Sequence, residues 1–158
     1  MSDYGIEIVT AADVLDLRSA LLHRHLVGSP VVAGDQHPDA YHVAAYRDEN
    51  QVAVGSIHPE PMPEGYQTAA WRLHGVTVEH GHRGVGVGAL IVERCLDHAV
   101  GQEARVVWCV APAGTFGFFE RYGFQRTGDP IDDSAGPQYK LFVELGSSRK
   151  SWALPEKS

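Results

Sequence analysis

Arg83-Gly84-Val85-Gly86-Val87-Gly88 stands between a β-type run ending in Val76-Thr77-Val78 and an apolar run with helical spacing. Glycines let a backbone approach a ligand closely, and a helix starting here aims its free N–H groups and positive end at one point. That arrangement suits a phosphate. Upstream on the same run lie Arg72, a fixed cation, and His74, a group that exchanges a proton near neutral pH.

Spacing separates the families that put glycines between a strand and a helix. A nucleoside-triphosphate loop needs Lys then Ser or Thr after its last glycine, and here Ala89-Leu90 follow Gly88. A dinucleotide fingerprint needs Gly-x-Gly-x-x-Gly, and the interval from Gly86 to Gly88 is too short. The remaining pattern, Arg83-x-x-Gly86-x-Gly88, resembles the acyl-coenzyme A signature of the GNAT acetyltransferase superfamily. Cys109-Val-Ala-Pro112 and Phe116-Gly-Phe-Phe-Glu-Arg-Tyr-Gly-Phe124 are similar to its second motif, and the order of elements matches over nearly all of residues 4–145.

The resemblance implies a mixed, strongly twisted α/β sheet flanked by helices, with acetyl-CoA as cosubstrate lying across a split in it. The pyrophosphate would rest on the N–H groups of Arg83, Gly84, Val85, Gly86, Val87, Gly88 and Ala89, and the pantetheine would pair like an added strand with the segment Val76, Thr77, Val78. The implied reaction is acetyl transfer to a primary amine by direct attack in a ternary complex. Such an amine must lose a proton first, which for a lysine-like pKa of ~10.4 costs roughly 4.6 kcal/mol at pH 7. Residues 72, 74, 76 and 78 are expected to alternate onto one face, so His74 is the expected base and Glu79 the second candidate. Arg72 departs from the superfamily's histidine or glutamate and would orient a substrate carboxylate. Phe119 stands where a thiolate-protonating tyrosine is usual, leaving Tyr122 as the candidate donor, and Val110 replaces a usual asparagine. These two departures keep a second reading open, an acyl-CoA binding or regulatory module without transfer.

The elements that must position these groups are legible from pattern. Ile6 and Ile8 mark a strand, and Thr10-Ala-Ala-Asp13 caps a helix whose stripe is Val14, Leu17 and Leu21. The segment 27–39, with two glycines and two prolines, is a loop whose Asp35, His37 and Asp39 would rim the acceptor pocket together with the irregular connection from Pro59 to Tyr66. Residues 41–46 and 51–57 form a hairpin, 70–78 a third strand, and a helix beginning near Gly84 buries Val85, Ala89, Val92, Leu96 and Ala99. A strand over 105–110, a short helix over 115–122 and a last strand over 139–145 complete one domain, 1–146. Residues 136–139 read as a turn or as cavity lining, and 147–158 as a polar tail.

With 158 residues, 44% hydrophobic, the chain can bury a full core as one domain. A net charge of −7 argues against nucleic-acid or anionic-membrane partners. Cys95 and Cys109 lie in apolar runs and read as buried thiols, no apolar run reaches membrane-spanning length, and no leader pattern opens the chain, so a cytoplasmic protein is expected. His80-x-His82 lacks ligands at metal spacing, so no metal is expected. The free edge of the hairpin sheet offers a surface for a homodimer.

Overall fold

Thr10 and Asp13 start the first helix as a reciprocal cap. The Thr10 N–H donates to Asp13 Oδ2 (3.0 Å) and the Asp13 N–H to Thr10 Oγ1 (3.3 Å), which holds the Asp13 carboxyl below its ordinary range. This joins β1 (Gly5–Val9) to α1 (Ala11–His25). The computed structural model describes residues 4–25, 33–63, 65–133 and 136–145. The first part of the expected loop at 27–39 and the whole tail at 147–158 lie outside the described residues.

The hairpin of β2 (Tyr41–Arg47) and β3 (Asn50–Pro59) turns on Asp48 and Glu49, both at positive φ (51° and 71°). Then follow β4 (Ala70–Val78), α2 (Val87–Gly101), β5 (Val106–Pro112), α3 (Phe116–Glu120), β6 (Gln125–Asp133) and β7 (Gly136–Glu144). The seven strands form one mixed sheet in the order β1-β2-β3-β4-β5-β7-β6, antiparallel except at β4–β5. On one face α2 buries Ala89, Ile91, Val92, Cys95, Leu96 and Ala99 in a core that includes Ile57, Leu73 and Val107. On the other, Val14 and Leu17 of α1 pack with Ala44 and Val54.

Two features of β4 shape the site. Its parallel pairing with β5 runs only from Ala70↔Val106 to Arg72↔Trp108, so the strands part beyond Arg72 and the β5-side edge of β4 is open. Its pairing with β3 slips by one residue, from Ser56↔His74 to Val54↔Thr77, so that Gly75 and Val76 together oppose Gly55. Gly75 sits at φ 66°, and a Cβ there would lie 2.6 Å from Arg18 Nη2, so a side chain would strain the backbone and push the Arg18 guanidinium aside. The inserted residue reverses the alternation. Arg72, His74 and Thr77 therefore share the α1 face with Ser56 and Val54, while Leu73, Val76 and Val78 join the α2 core. The expectation that 72, 74, 76 and 78 share a face is corrected accordingly.

Other boundaries also move. Gly84 (φ 79°) and Gly86 (φ 90°) cannot continue a right-handed helix, so α2 starts at Val87 and Val85 is exposed (60%) rather than part of its buried face. Strand β6 is absent from the sequence reading because Gly128 and Pro130 punctuate it. An edge strand tolerates both, and the register with β7 is irregular between Thr127 and Ile131. Residues 136–139 are not a turn but the start of β7, where Gln138 pairs with both Pro112 and Ile131.

Candidate active site

The strand end at 76–78 and the loop at 83–88 form one wall of a cleft of about 640 Å³, closed on the other side by Thr115, Phe118 and Arg121 around α3. Gly86, at φ 90° and ψ 0°, is the N-cap of α2, so the free N–H groups of the first helical turn follow it directly. A Cβ at Gly84 or Gly86 would meet no protein atom within 4 Å, which means these glycines border open space. Arg83 folds back to donate from Nε to the Val78 carbonyl (3.1 Å), tying the loop to the strand end. Of the residues expected at the cofactor, Val76, Thr77, Val78, Arg83, Gly84, Gly86, Gly88 and Ala89 line this cleft. Val85 projects outward and the Val87 side chain is 1% exposed in the core, so these two can offer only backbone groups.

On the opposite face of β4 lies a buried polar network. Arg18 donates from Nη1 to Asp35 Oδ2 (2.8 Å) and from Nη2 to Ser56 Oγ (2.8 Å). His42 Nε2 faces the Asp35 carbonyl (3.1 Å), which can only accept, so Nε2 carries the hydrogen and the Ser56 hydroxyl donates to His42 Nδ1 (2.6 Å). His74 Nε2 meets Asp35 Oδ1 (3.0 Å), and its Nδ1 meets His58 Nδ1 (3.2 Å). His58 Nε2 then contacts Glu60 Oε1 (2.8 Å), whose second oxygen accepts from Arg72 Nη1 (3.4 Å). Both nitrogens of His74 are thus engaged.

Asp35 and His74, expected at the site for separate reasons, are brought into hydrogen-bond contact. Arg18, His42, Ser56 and His58 were not foreseen, and Glu60 falls in the connection 59–66 expected at the acceptor rim without being singled out. Their signal was an arginine beside the apolar stripe of α1, and polar residues at alternate positions, 56 and 58, in an otherwise apolar strand. Gly34 closes the network: a Cβ there would lie 2.0 Å from the His58 ring.

Burial pulls His74 down to about 4 against the opposing pull of Asp35, with His58 and Arg18 adding to the fall, so the imidazole is neutral at pH 7. The unfolded chain protonates this group near pH 6.5, so between about pH 6.5 and 4 it binds a proton that the folded chain does not. Stability should then fall with acidification through this window, by roughly 3 kcal/mol from His74 alone. Burial also depresses His58 and His98, in the same direction. Urea-unfolding midpoints at pH 7 and pH 5 check this: a clearly lower midpoint at pH 5 is expected, and equal midpoints contradict it.

The other expected residues divide. Tyr122 is 1% exposed, its hydroxyl donates to the Ala89 carbonyl (3.3 Å), and burial pushes it up to about 12. It packs against the first turn of α2 with its hydroxyl already engaged, and Phe119 is buried beside Phe118 and Phe124. Glu79 lies past the end of β4, exposed, its N–H donating to the Val52 carbonyl (2.8 Å) and its carboxylate 3.8 Å from His82. That is about 15 Å of strand from His74, too far to share a reaction centre directly. Arg72 is half-buried over the Trp108 ring (5.0 Å). His37 accepts the Asp39 N–H (3.0 Å) with its ring 6.3 Å from His58, at the rim of the network. Both cysteines are free thiols, Cys109 pushed up to about 12 by burial and Cys95 further still. Among the described residues no group of three or more His, Cys, Asp or Glu side chains could hold a metal, and no helix is long and apolar enough to cross a membrane.

Comparison with known proteins agrees with this geometry. The sequence model of the Acetyltransferase (GNAT) family matches residues 14–124. A relative from Bacillus subtilis (strain 168), described as the uncharacterized N-acetyltransferase YitI, is 20% identical over 146 residues, covering 91% of this chain and 98% of its own. Among solved structures, Escherichia coli ElaA superposes with a TM-score of 0.74 at 18% identity, over 89% of this chain and 99% of that one. An acyl-CoA N-acyltransferase from Pseudomonas aeruginosa gives 0.73 at 21%, over 88% and 98%. The yncA protein of Salmonella typhimurium, solved with acetyl-CoA, gives 0.69 at 15%, over 92% and 95%. At these identities the structural likeness concerns the fold.

Proposed function

Because the chain belongs to the GNAT acetyltransferase family, we propose that it transfers the acetyl group of acetyl-CoA to a primary amine by direct attack in a ternary complex. The observation that carries this reading is the parting of β4 from β5 beyond Arg72, which leaves an open strand edge beside the glycine-lined cleft while the His74–Asp35 network lies on the α1 face of the same strand. Acetyl-CoA occupies the cleft, pyrophosphate at the start of α2 and pantetheine along the open edge at 76–78. The acceptor approaches from the α1 face. The amine nitrogen attacks the thioester carbonyl carbon, the C–N bond forms, the C–S bond breaks, and CoA departs with the electron pair as its thiolate. The network containing His74 handles the proton that the ammonium must give up first.

Direct attack is supported by the two cysteines, whose burial keeps them as thiols and so poor acyl carriers. Arg72, whose side chain is partly exposed where β4 and β5 part, is the cation we assign to a carboxylate on the acceptor. The name of the Bacillus relative and the acetyl-CoA in the yncA structure support the same chemistry. Two buried free thiols accord with a reducing cytoplasm, and the β1 edge, with Ile8 71% exposed, is the surface proposed for a homodimer.

Phe119 and the engaged hydroxyl of Tyr122 favour a second reading, a module that binds acyl-CoA without transferring the group. One assay separates the two. Acetyl-CoA is incubated with a panel of primary amines, including 2-phenylethylamine, lysine and spermidine, and free thiol is followed. Amine-dependent release is expected; tight calorimetric binding of acetyl-CoA with no release from any amine would instead establish the binding module.

A further inference from the structure

The chain Asp35–His74–His58–Glu60 has three links and needs three protons to bond them all. Asp35, held by Arg18, is an acceptor, so His74 carries its hydrogen on Nε2 and presents a lone pair at Nδ1. That lone pair is met at 3.2 Å by His58 Nδ1, which must therefore be the donor. A neutral His58 then has no hydrogen left on Nε2, yet Nε2 lies 2.8 Å from Glu60 Oε1. Two neutral imidazoles supply two protons, and the third link is one short.

A contact that sets two acceptors against each other when empty and becomes a charge-assisted hydrogen bond when filled is a proton-binding site. It lies at the accessible end of the network, since the Glu60 side chain is 34% exposed and that of His58 only 3%. Its backbone is fixed: the Glu60 N–H donates to the Ala70 carbonyl (3.0 Å), and its own carbonyl accepts from Trp108 Nε1 (3.0 Å). The cross-strand partner of His58 is Arg72, the last residue of β4 paired to β5, so the site stands where the split opens.

Resting on the transfer reading above, we infer that Glu60, backed by His58, is the group that takes the acceptor's proton, and that His74 and Asp35 serve as positioning residues behind it. The ammonium N–H proton passes to the Glu60–His58 contact, directly or through one water. The freed amine attacks the thioester carbonyl carbon, and CoA thiolate leaves. The second nitrogen proton is lost as the amide forms and neutralises the thiolate, while the proton at Glu60 returns to solvent between turnovers. His74 and Asp35 hold the donating hydrogen of His58 on Nδ1, so that Nε2 faces Glu60 bare until the acceptor's proton arrives. The charged and titratable groups facing the contact are Arg72 and His74 from β4, His37 beside the 3-10 turn, and Asp35 with Arg18 beyond them. Burial depresses His58 and the Glu60 contact opposes it, which keeps His58 a proton carrier that is neutral at rest.

The test is Glu60→Gln, assayed with the fastest of the three amines named above and paired with a side-chain nitrogen NMR titration of the histidines. The variant should bind acetyl-CoA as the wild type does, lose on the order of a hundredfold in kcat, and lose the acidic limb of the wild-type pH–rate profile. In the NMR titration His58 should protonate at lower pH in the variant, while His74 keeps its hydrogen on Nε2. Wild-type turnover with a Glu60→Gln kcat within about twofold and an unaltered profile overturns the role of Glu60 alone. No release by the wild type with any amine overturns the transfer reading and this assignment with it.

Discussion

Gly86→Leu is expected to weaken acetyl-CoA binding by roughly a hundredfold, about 2.7 kcal/mol, in a chain that still folds. Gly86 is the N-cap of α2 at φ 90°, and its Cβ direction leads into open space bordering a cleft of about 640 Å³. A leucine there clashes with nothing in the protein, so the cost to folding is the backbone strain of a side chain at positive φ, about 1 kcal/mol. The cost to the ligand is larger. Phosphate oxygens reach the N–H groups of a helix start only at hydrogen-bond distance, and a branched side chain at the cap holds them away. Calorimetry gives the dissociation constant and thermal unfolding verifies the fold; an unchanged affinity contradicts the assignment of this cleft to acetyl-CoA.

Asp35→Ala should lower stability by about 3–5 kcal/mol, because it breaks a buried ion pair and leaves the other charge inside. Arg18 and Asp35 are 3% and 2% exposed, and Asp35 also receives His74 Nε2 while its carbonyl receives His42. Removing the carboxylate deprives Arg18 of its anion and frees the His74 ring to turn. Asp35→Asn keeps the shape and one acceptor oxygen, so its loss should be smaller. Urea-unfolding midpoints of the two variants measure the difference. An Asp35→Ala protein as stable as the wild type would mean that the network does not hold α1 and the 3-10 turn (Ala33–Gln36) to the sheet.

How much of this was legible follows from how local each feature is. The glycine loop at the start of α2 could be read because strand end, glycines and helix start occupy one short stretch, 76–89, and each residue type has a reason to be where it is. The proton network could not, because Arg18, Asp35, His42, Ser56, His58 and His74 come from five separate elements and only the folded sheet brings them together. Asp35 and His74 were singled out by their chemistry, and their 3.0 Å contact is a tertiary fact. The face of β4 was misread for a physical reason: strict alternation holds only in an unbroken ladder, and one inserted residue at Gly75 sends Val76 and Val78 to the other side. That slip turns the Val76 and Val78 side chains toward α2 while Arg72 and His74 stay with α1. The Tyr122 hydroxyl is engaged by the Ala89 carbonyl because the turn between α3 and Gly123 directs this ring inward, against the first turn of α2.

The central claim is that acetyl-CoA and an amine meet on the two faces of β4 and react without an acyl-enzyme. Initial rates of thiol release, measured over a grid of acetyl-CoA and amine concentrations, test it most directly. Intersecting double-reciprocal lines, with no release when amine is omitted, are predicted. Parallel lines, or a burst of thiol in the absence of amine, would show a covalent intermediate and contradict the account.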